Sequence, residues 1–222
     1  MSIAYLDNPR RFASQLEGIA ALADTNRGLP VLNAVHLRVT GDSVYLAATD
    51  RFVMGIDRQP LDGGADQPDD AAILIALADV KMIAGLLKAD RTAGRSAYGL
   101  DIDTEAQTLT VLHYGQPKLT VRAVEGEFPR LAHLAAGFVD QIRPDETAPA
   151  ASGVTHSSWA KVLKACKAGR KDPAVWVHRS KGDALVVTVQ DSDPSDLVVV
   201  IMGRRSESGP EHLPTTAHDL NR

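Results

Sequence analysis

Hydrophobic residues recur every three or four positions over residues 9–23 and every second position in the stretches that follow. The first pattern predicts an amphipathic helix, with Asp7 or Asn8 as its N-cap. Over residues 35–58 apolar and polar residues alternate in three short stretches, which predicts three antiparallel strands. The chain therefore opens with a helix followed by three strands.

The same order of elements returns in the next segment. A short apolar stretch at 71–77 predicts a strand, and the helical period at 78–90 predicts a second helix. Three more alternating stretches within 98–124 predict three further strands. The first 125 residues therefore consist of two half-units, each made of a strand, a helix and three strands.

The pattern weakens after residue 131 and then returns. Residues 138–143 are predicted as a strand, and residues 153–156 as another. A helix at 159–171, capped by Ser157 or Ser158, is followed by three predicted strands. This is the same half-unit for a third time.

These elements predict an α+β fold, with antiparallel sheets and amphipathic helices on one face. We expect a complete domain at 1–125, a connector at 126–152, a shorter second domain at 153–205 and a flexible tail at 206–222. The tail has few apolar residues and no periodicity.

Composition narrows the class of protein. The chain has 222 residues, 44% of them hydrophobic, which is ordinary for a folded domain and unlike a disordered chain. Its one cysteine, Cys166, forms neither an internal disulfide nor a cysteine-based zinc site. The sequence contains no apolar run long enough for a membrane span or a signal peptide. We therefore predict a cytoplasmic protein that does not contact a membrane.

Charge is divided unevenly along the chain. Between Thr147 and Lys171 the sequence has five basic residues and no Asp or Glu. The rest of the chain has 19 basic and 28 acidic residues, so the net charge of −4 is +5 on this segment and −9 elsewhere. This division favours a surface that binds phosphates on an otherwise acidic protein.

The helix of the basic segment is predicted to bury one stripe and expose a basic face. Its buried stripe is predicted to be Trp159, Val162, Leu163 and Cys166. Lysines without aromatic or amide companions suit sequence-independent phosphate contacts rather than base recognition. The alternative is an ordinary solvated helix face.

Basic residues on the two earlier helices extend this hypothesis. The predicted DNA-binding residues are Lys161, Lys164, Lys167, Arg170, Lys171, Lys81, Lys88 and Arg10.

No enzyme signature accompanies this pattern. The acidic pairs Asp101/Asp103 and Asp191/Asp193 have strand and turn compositions, which favour structural roles over a metal site. Trp176 is interpreted as a core residue, because no aromatic row accompanies it. We expect no catalytic residue, no metal and no cofactor.

Three strings of residues resemble a known family, the beta sliding clamp that serves bacterial DNA polymerase as a processivity factor. Residues 29–56 resemble the segment in which a Pro-containing loop leads into strands and an Ala-Thr-Asp turn. Residues 126–131, GEFPRL, are similar to the Glu-Phe-Pro string that closes a domain, and 197–205 resemble the C-terminal strand. The resemblance covers residues 1–131 well and 153–205 loosely.

The resemblance implies a ring that encircles duplex DNA, with helices on its inner wall and sheets outside. It also implies a hydrophobic pocket in which a DNA polymerase or clamp loader inserts a short linear motif. Val200 and Met202 are the residues carried over to that pocket. Gly203 and Arg204 stand where the family has proline and a second methionine.

Two functions follow from the resemblance. The leading expectation is a sliding clamp whose identical subunits close a ring, with a trimer favoured. The alternative is a truncated clamp-like accessory protein that binds a replication partner without closing a ring, since residues 132–205 leave room for about half a domain.

Overall fold

The structure, a computed structural model, describes most of the chain. The described residues are 3–26, 28–62, 70–90, 97–142, 154–171, 173–180, 184–190 and 197–202. The helices are α1 (Pro9–Ala20), α2 (Leu77–Ala89), α3 (Leu131–Val139) and α4 (His156–Lys167). We call residues 1–125 the first part of the chain. Its strands are β1 (Ile3–Tyr5), β2 (Ala34–Thr40), β3 (Ser43–Thr49), β4 (Val53–Pro60), β5 (Ala71–Ala76), β6 (Tyr98–Asp103), β7 (Thr108–His113) and β8 (Gln116–Arg122). The last three strands are β9 (Ala174–Arg179), β10 (Leu185–Gln190) and β11 (Val198–Ile201).

The strands form two antiparallel sheets. One sheet has four strands in the order β1-β6-β7-β8, and the other has seven in the order β5-β2-β3-β4-β11-β10-β9. In the first part, the first strand of each half-unit therefore belongs to the sheet of the other half-unit, since β1 pairs with β6 and β5 with β2. The predicted α+β class with antiparallel sheets is confirmed.

Local sequence explains most of these elements. Asn8 caps α1, because its side-chain oxygen accepts a hydrogen bond from the Arg11 N–H at 3.0 Å, so Asn8 rather than Asp7 is the N-cap. Gly41, at φ +56°, supplies the left-handed residue that the tight turn between β2 and β3 requires.

Two of the predicted strands are wrong. Residues 131–139 form α3, which includes the start of the predicted strand at 138–143. Val154 and Thr155 lie outside any strand, and α4 begins at His156. Its N-cap is Thr155 rather than Ser157 or Ser158, because the Thr155 hydroxyl accepts the Ser158 N–H at 3.2 Å.

Two hydrophobic clusters lie on opposite faces of the seven-stranded sheet. The larger one lies between the sheets and helices α1, α2 and α4, where Phe12, Ile83 and Val162 are fully buried. The smaller one lies under α3, where Leu131 and Ala135 pack with Val200 of β11. Helix α3 therefore covers the face of the sheet that the other helices leave open.

Helix α1 lies between α2 and α4. Its Gly18 faces α4 so closely that a Cβ atom at this position would lie 2.3 Å from the Ala168 Cβ. A glycine is needed at this contact because the two backbones approach without room for a side chain.

The third half-unit joins the first part through a strand pair and a buried ion pair. Strand β11 pairs with β4, with Val198 opposite Ile56. Next to this strand pair, the Arg170 guanidinium donates two hydrogen bonds to the Asp57 carboxylate of β4, at 2.7 and 2.9 Å. Sheet and core are therefore continuous from the first part into the third half-unit.

Candidate nucleic-acid interface

The layer of helices α1, α2 and α4 carries the predicted basic residues. Lys164, Lys167 and Lys171 are exposed on α4 and the turn that follows it. Lys81 of α2 and Arg10 of α1 are exposed as well. Five of the eight predicted cations are therefore accessible to a ligand on the helix layer.

Two further lysines are held in ion pairs. The Lys88 Nζ lies 2.5 Å from a Glu17 oxygen of α1, and both side chains are about two-fifths exposed. The Lys161 Nζ lies 2.5 Å from an Asp50 oxygen, with both side chains largely buried. A phosphate would have to compete with a carboxylate for either lysine, so they contribute less to an anion site than the sequence suggested.

Arg170 does not belong to an outer basic row. Its side chain is fully buried against Asp57, and its Nη1 also donates to the Ala165 and Ala168 carbonyl oxygens at 3.3 and 3.1 Å. Burial raises the pKa of Asp57, whereas Arg170 lowers it. Arg170 stabilises the junction and is not accessible to an external phosphate.

The exposed cations suit a backbone contact with nucleic acid. Lys164 and Lys167 lie on adjacent turns of one helix face, about 5 Å apart along its axis. Such a pair can follow neighbouring phosphates but offers no planar, bidentate donor for base edges. The arrangement therefore fits a weak and salt-sensitive contact with any duplex sequence.

The predicted partner pocket is only partly open. Val200 is fully buried under α3, whereas Met202 is 40% exposed. Beside it lies Phe52, 63% exposed, whose carbonyl oxygen accepts the Met202 N–H at 2.8 Å. Phe52 was not among the contact residues predicted from the sequence. The signal lay in its turn, where the Asp50 carboxylate accepts the N–H groups of Phe52 and Val53.

A cavity on the opposite face of the seven-stranded sheet was also missed. It measures about 600 Å³ and lies between strands β2–β4 and residues 128–133. His36 of β2 stacks on Phe128 across its edge, with ring centroids 5.0 Å apart. Burial lowers the pKa of His36, and the Arg38 charge adds to that effect.

The groups considered for catalysis have structural environments. The Asp103 carboxylate accepts the N–H groups of Glu105 and Ala106 in the turn after β6. Burial raises the pKa of the Cys166 thiol to about 11, so the thiolate is scarce at neutral pH. Asp191 and Asp193 lie outside the described residues. Within the described part of the chain, no three His, Cys, Asp or Glu side chains cluster as metal ligands.

A helix needs about 20 predominantly apolar residues to cross a bilayer. None of the four described helices is long and apolar enough to do so.

Solved structures share this arrangement of sheets and helices. The DNA polymerase III beta subunit of Thermotoga maritima matches with a TM-score of 0.66 at 13% identity, over 92% of this chain and 65% of its own. A sliding clamp of Pseudomonas aeruginosa matches with a TM-score of 0.64 at 15% identity, over 92% of this chain and 66% of its own. The chain has the fold of a bacterial beta sliding clamp.

Sequence comparison agrees with this clamp fold. The beta sliding clamp of Streptomyces coelicolor is 30% identical over 138 residues, which are 62% of this chain and 36% of that protein. No protein-family model matches the chain. The resemblance to beta sliding clamps is therefore confirmed, and the chain spans about a third of this curated relative and about two thirds of the solved clamps.

Proposed function

We propose that the chain is a non-enzymatic clamp-fold accessory of DNA replication that holds duplex DNA on its helix layer without closing a ring by itself. The observation that carries the DNA contact is the exposed basic face of α4, in a chain whose remaining residues are acidic overall. Weak phosphate contacts allow the protein to move along DNA, and the acidic surface elsewhere keeps the duplex on one face. We place this activity in the cytoplasm.

The strand order supports an open form rather than a ring. We align the third half-unit with the second, so that β11, the last strand after α4, takes the place of β8, the last strand after α2. A ring made by repeating the internal junction would pair β8 of one copy with β4 of the next. Strand β4 already pairs with β3 on one side and with β11 on the other.

The ring of three copies, expected from the resemblance, makes a different prediction. One chain has a mass of 23.7 kDa, so a trimer would have about 70 kDa. Light scattering after size-exclusion chromatography separates the two forms. A stable trimer that stays on nicked circular DNA after linear DNA has been washed away would contradict the open form.

The DNA contact is tested by two charge reversals of equal size. The variant Lys164→Glu/Lys167→Glu changes the helix layer, and the control Lys118→Glu/Arg122→Glu makes the same charge change on the exposed face of β8. Affinity for two unrelated duplexes is measured by fluorescence anisotropy at several salt concentrations. Each lost phosphate contact flattens the slope of log K against log salt by about 0.9, so we expect a change of roughly 1.8 for the helix variant only.

Equal weakening by both variants would show that net charge, and not the helix layer, governs the binding. Unchanged binding by the helix variant would refute the interface.

A second contact is proposed for a replication protein. The resemblance assigns Met202 to a peptide-binding pocket, and Met202 is an exposed apolar side chain. Phe52 is exposed beside it and accepts a hydrogen bond from the Met202 backbone. A short linear motif of a DNA polymerase or clamp loader is the proposed ligand.

A further inference from the structure

The third half-unit repeats the helix and three strands of the second. Helices α1, α2 and α4 start at residues 9, 77 and 156, so residues at equal distances from the three starts correspond. On α2 the buried stripe is Val80, Ile83, Ala84 and Leu87. The corresponding residues of α4 are Trp159, Val162, Leu163 and Cys166.

Exposure differs sharply at one pair of these positions. Ala84 of α2 is fully buried, whereas Leu163 of α4 is 37% exposed. In the first part α1 covers this flank of α2, and Lys88 pairs with Glu17 of α1. Lys167 is the residue of α4 that corresponds to Lys88. We call the surface of Trp159, Leu163 and Lys167 the α4 flank.

Helix α1 does not cover the α4 flank. It contacts the other side of α4, where Gly18 faces Ala165 and Ala168. Ala165 lies about 160° around the helix from Leu163, at 100° per residue. The described residues place no other helix against Leu163 with more than marginal contact.

The strand next to this helix, β9, has an edge on the same side that no described strand covers. Strand β9 corresponds to β6, and β6 pairs with β1 on the side away from β7. Among the described strands, β9 pairs only with β10 and lies at the end of the seven-stranded sheet. Val177 of β9 is 47% exposed, although Val187, its paired residue on β10, is fully buried. The apolar face of the sheet therefore extends beyond the buried core and is exposed at β9. A cavity of about 270 Å³ lies between α4 and β9.

The first part shows what fits this surface. There, strand β1 extends the sheet at β6, and helix α1 covers α2 and places the Glu17 carboxylate against a lysine. A strand-helix segment of that kind would extend β9 and cover Leu163. Its carboxylate would lie against Lys167.

A second copy of this chain fits poorly. Its own α1 already lies between α2 and α4, and its β1 pairs with β6. A two-fold pairing of α4 with α4 would place Lys164, the counterpart of Glu17, against Lys167. Helix α4 carries no Asp or Glu, so like charges would meet across that interface.

We propose that the α4 flank and the open edge of β9 bind a strand-helix segment of another protein, whose helix places a carboxylate against Lys167. This goes beyond the DNA contact, because it assigns a protein ligand to a surface formed by Leu163 and Val177. The segment corresponds to the first strand and helix of a clamp half-unit. Strand addition supplies backbone hydrogen bonds, and the apolar flank with its lysine supplies specificity.

The test uses the full chain and a synthetic peptide with the sequence of residues 1–24, which carries the β1 and α1 sequences and has no tryptophan. The two tryptophans of the protein, Trp159 on α4 and Trp176 on β9, report binding through their emission. We expect a saturable change in emission. A Glu17→Lys peptide should bind roughly tenfold more weakly, and a Lys167→Glu protein should restore its binding.

The protein variant Leu163→Ser separates this surface from the DNA contact. It should lose the peptide and keep its affinity for duplex DNA, and its circular dichroism melt checks that the fold is retained. No change in emission, or a change insensitive to the charge exchange, would overturn the proposal. A dimer that dissociates on Leu163→Ser would overturn it in favour of a second copy.

Discussion

Gly18 gives the sharpest test of how the third half-unit packs on the first part. It lies in α1, where an alanine is ordinarily favoured over glycine by up to about 1 kcal/mol. A Cβ at Gly18 would lie 2.3 Å from the Ala168 Cβ and 3.3 Å from the Ala165 Cα. Since non-bonded carbon atoms do not approach to 2.3 Å, α4 and the residue that follows it would have to move.

The magnitude follows from a matched glycine on α2. Nothing lies within 4 Å of a Cβ built at Gly85, so Gly85→Ala should gain the full helix preference of about 0.5–1 kcal/mol. Gly18→Ala has a similar gain and an overpacking cost of about 1–3 kcal/mol. The two variants should therefore differ in free energy of unfolding by about 1–3 kcal/mol, with Gly85→Ala the more stable.

Urea unfolding followed by circular dichroism measures this difference, and thermal melts should show it as a gap of roughly 2–4 °C per kcal/mol. Ala168→Gly in the Gly18→Ala background removes the opposing methyl and should recover stability through a coupling of about 0.5–3 kcal/mol. If Gly18→Ala stabilises the chain as much as Gly85→Ala does, α4 is not packed against α1 in solution.

Two further predictions concern a buried ion pair and a half-buried histidine. Asp57→Ala should destabilise the chain by about 3–5 kcal/mol in urea unfolding, because it leaves the Arg170 guanidinium buried without a counter-ion. The pair Asp57→Leu/Arg170→Met should cost less than that single change, and an equal or larger loss would contradict this account. Burial holds the pKa of His36 below its ordinary value of 6.5, so stability is present above that pH and falls as acidification protonates the ring. His36→Gln should therefore reduce the loss of unfolding free energy between about pH 7.5 and pH 5, and an unchanged pH profile would refute the role of His36.

Regular local patterns made most of the elements predictable. The helical period of residues 9–23 and the alternation of 35–58 mark the side chains that pack in the larger hydrophobic cluster, so the sequence records them directly. The strand predicted at 138–143 failed because LAHLAAGFV, which begins at Leu131, is apolar on a helix that lies over a sheet. Short apolar runs of this kind do not distinguish a buried helix from a strand.

The exposure of the residues in the candidate interface was predicted only in part. Lys164 and Lys167 are exposed as a helical projection requires, because their angle to the buried stripe depends on local geometry alone. Arg170 and Lys161 looked similar in the sequence, but their carboxylate partners, Asp57 and Asp50, come from strand β4 and the turn before it, more than 100 residues away.

The sequence by itself determined the repeating helices and strands and the basic segment, because these depend on residues near one another in the chain. Only the tertiary structure decided which cations are accessible, since folding brings distant carboxylates to some of them. It also showed that Leu163 and Trp176, predicted to be buried, are exposed. Burial depends on whether a second element covers the apolar face, and helix α1, which covers that face of α2, packs against the other side of α4.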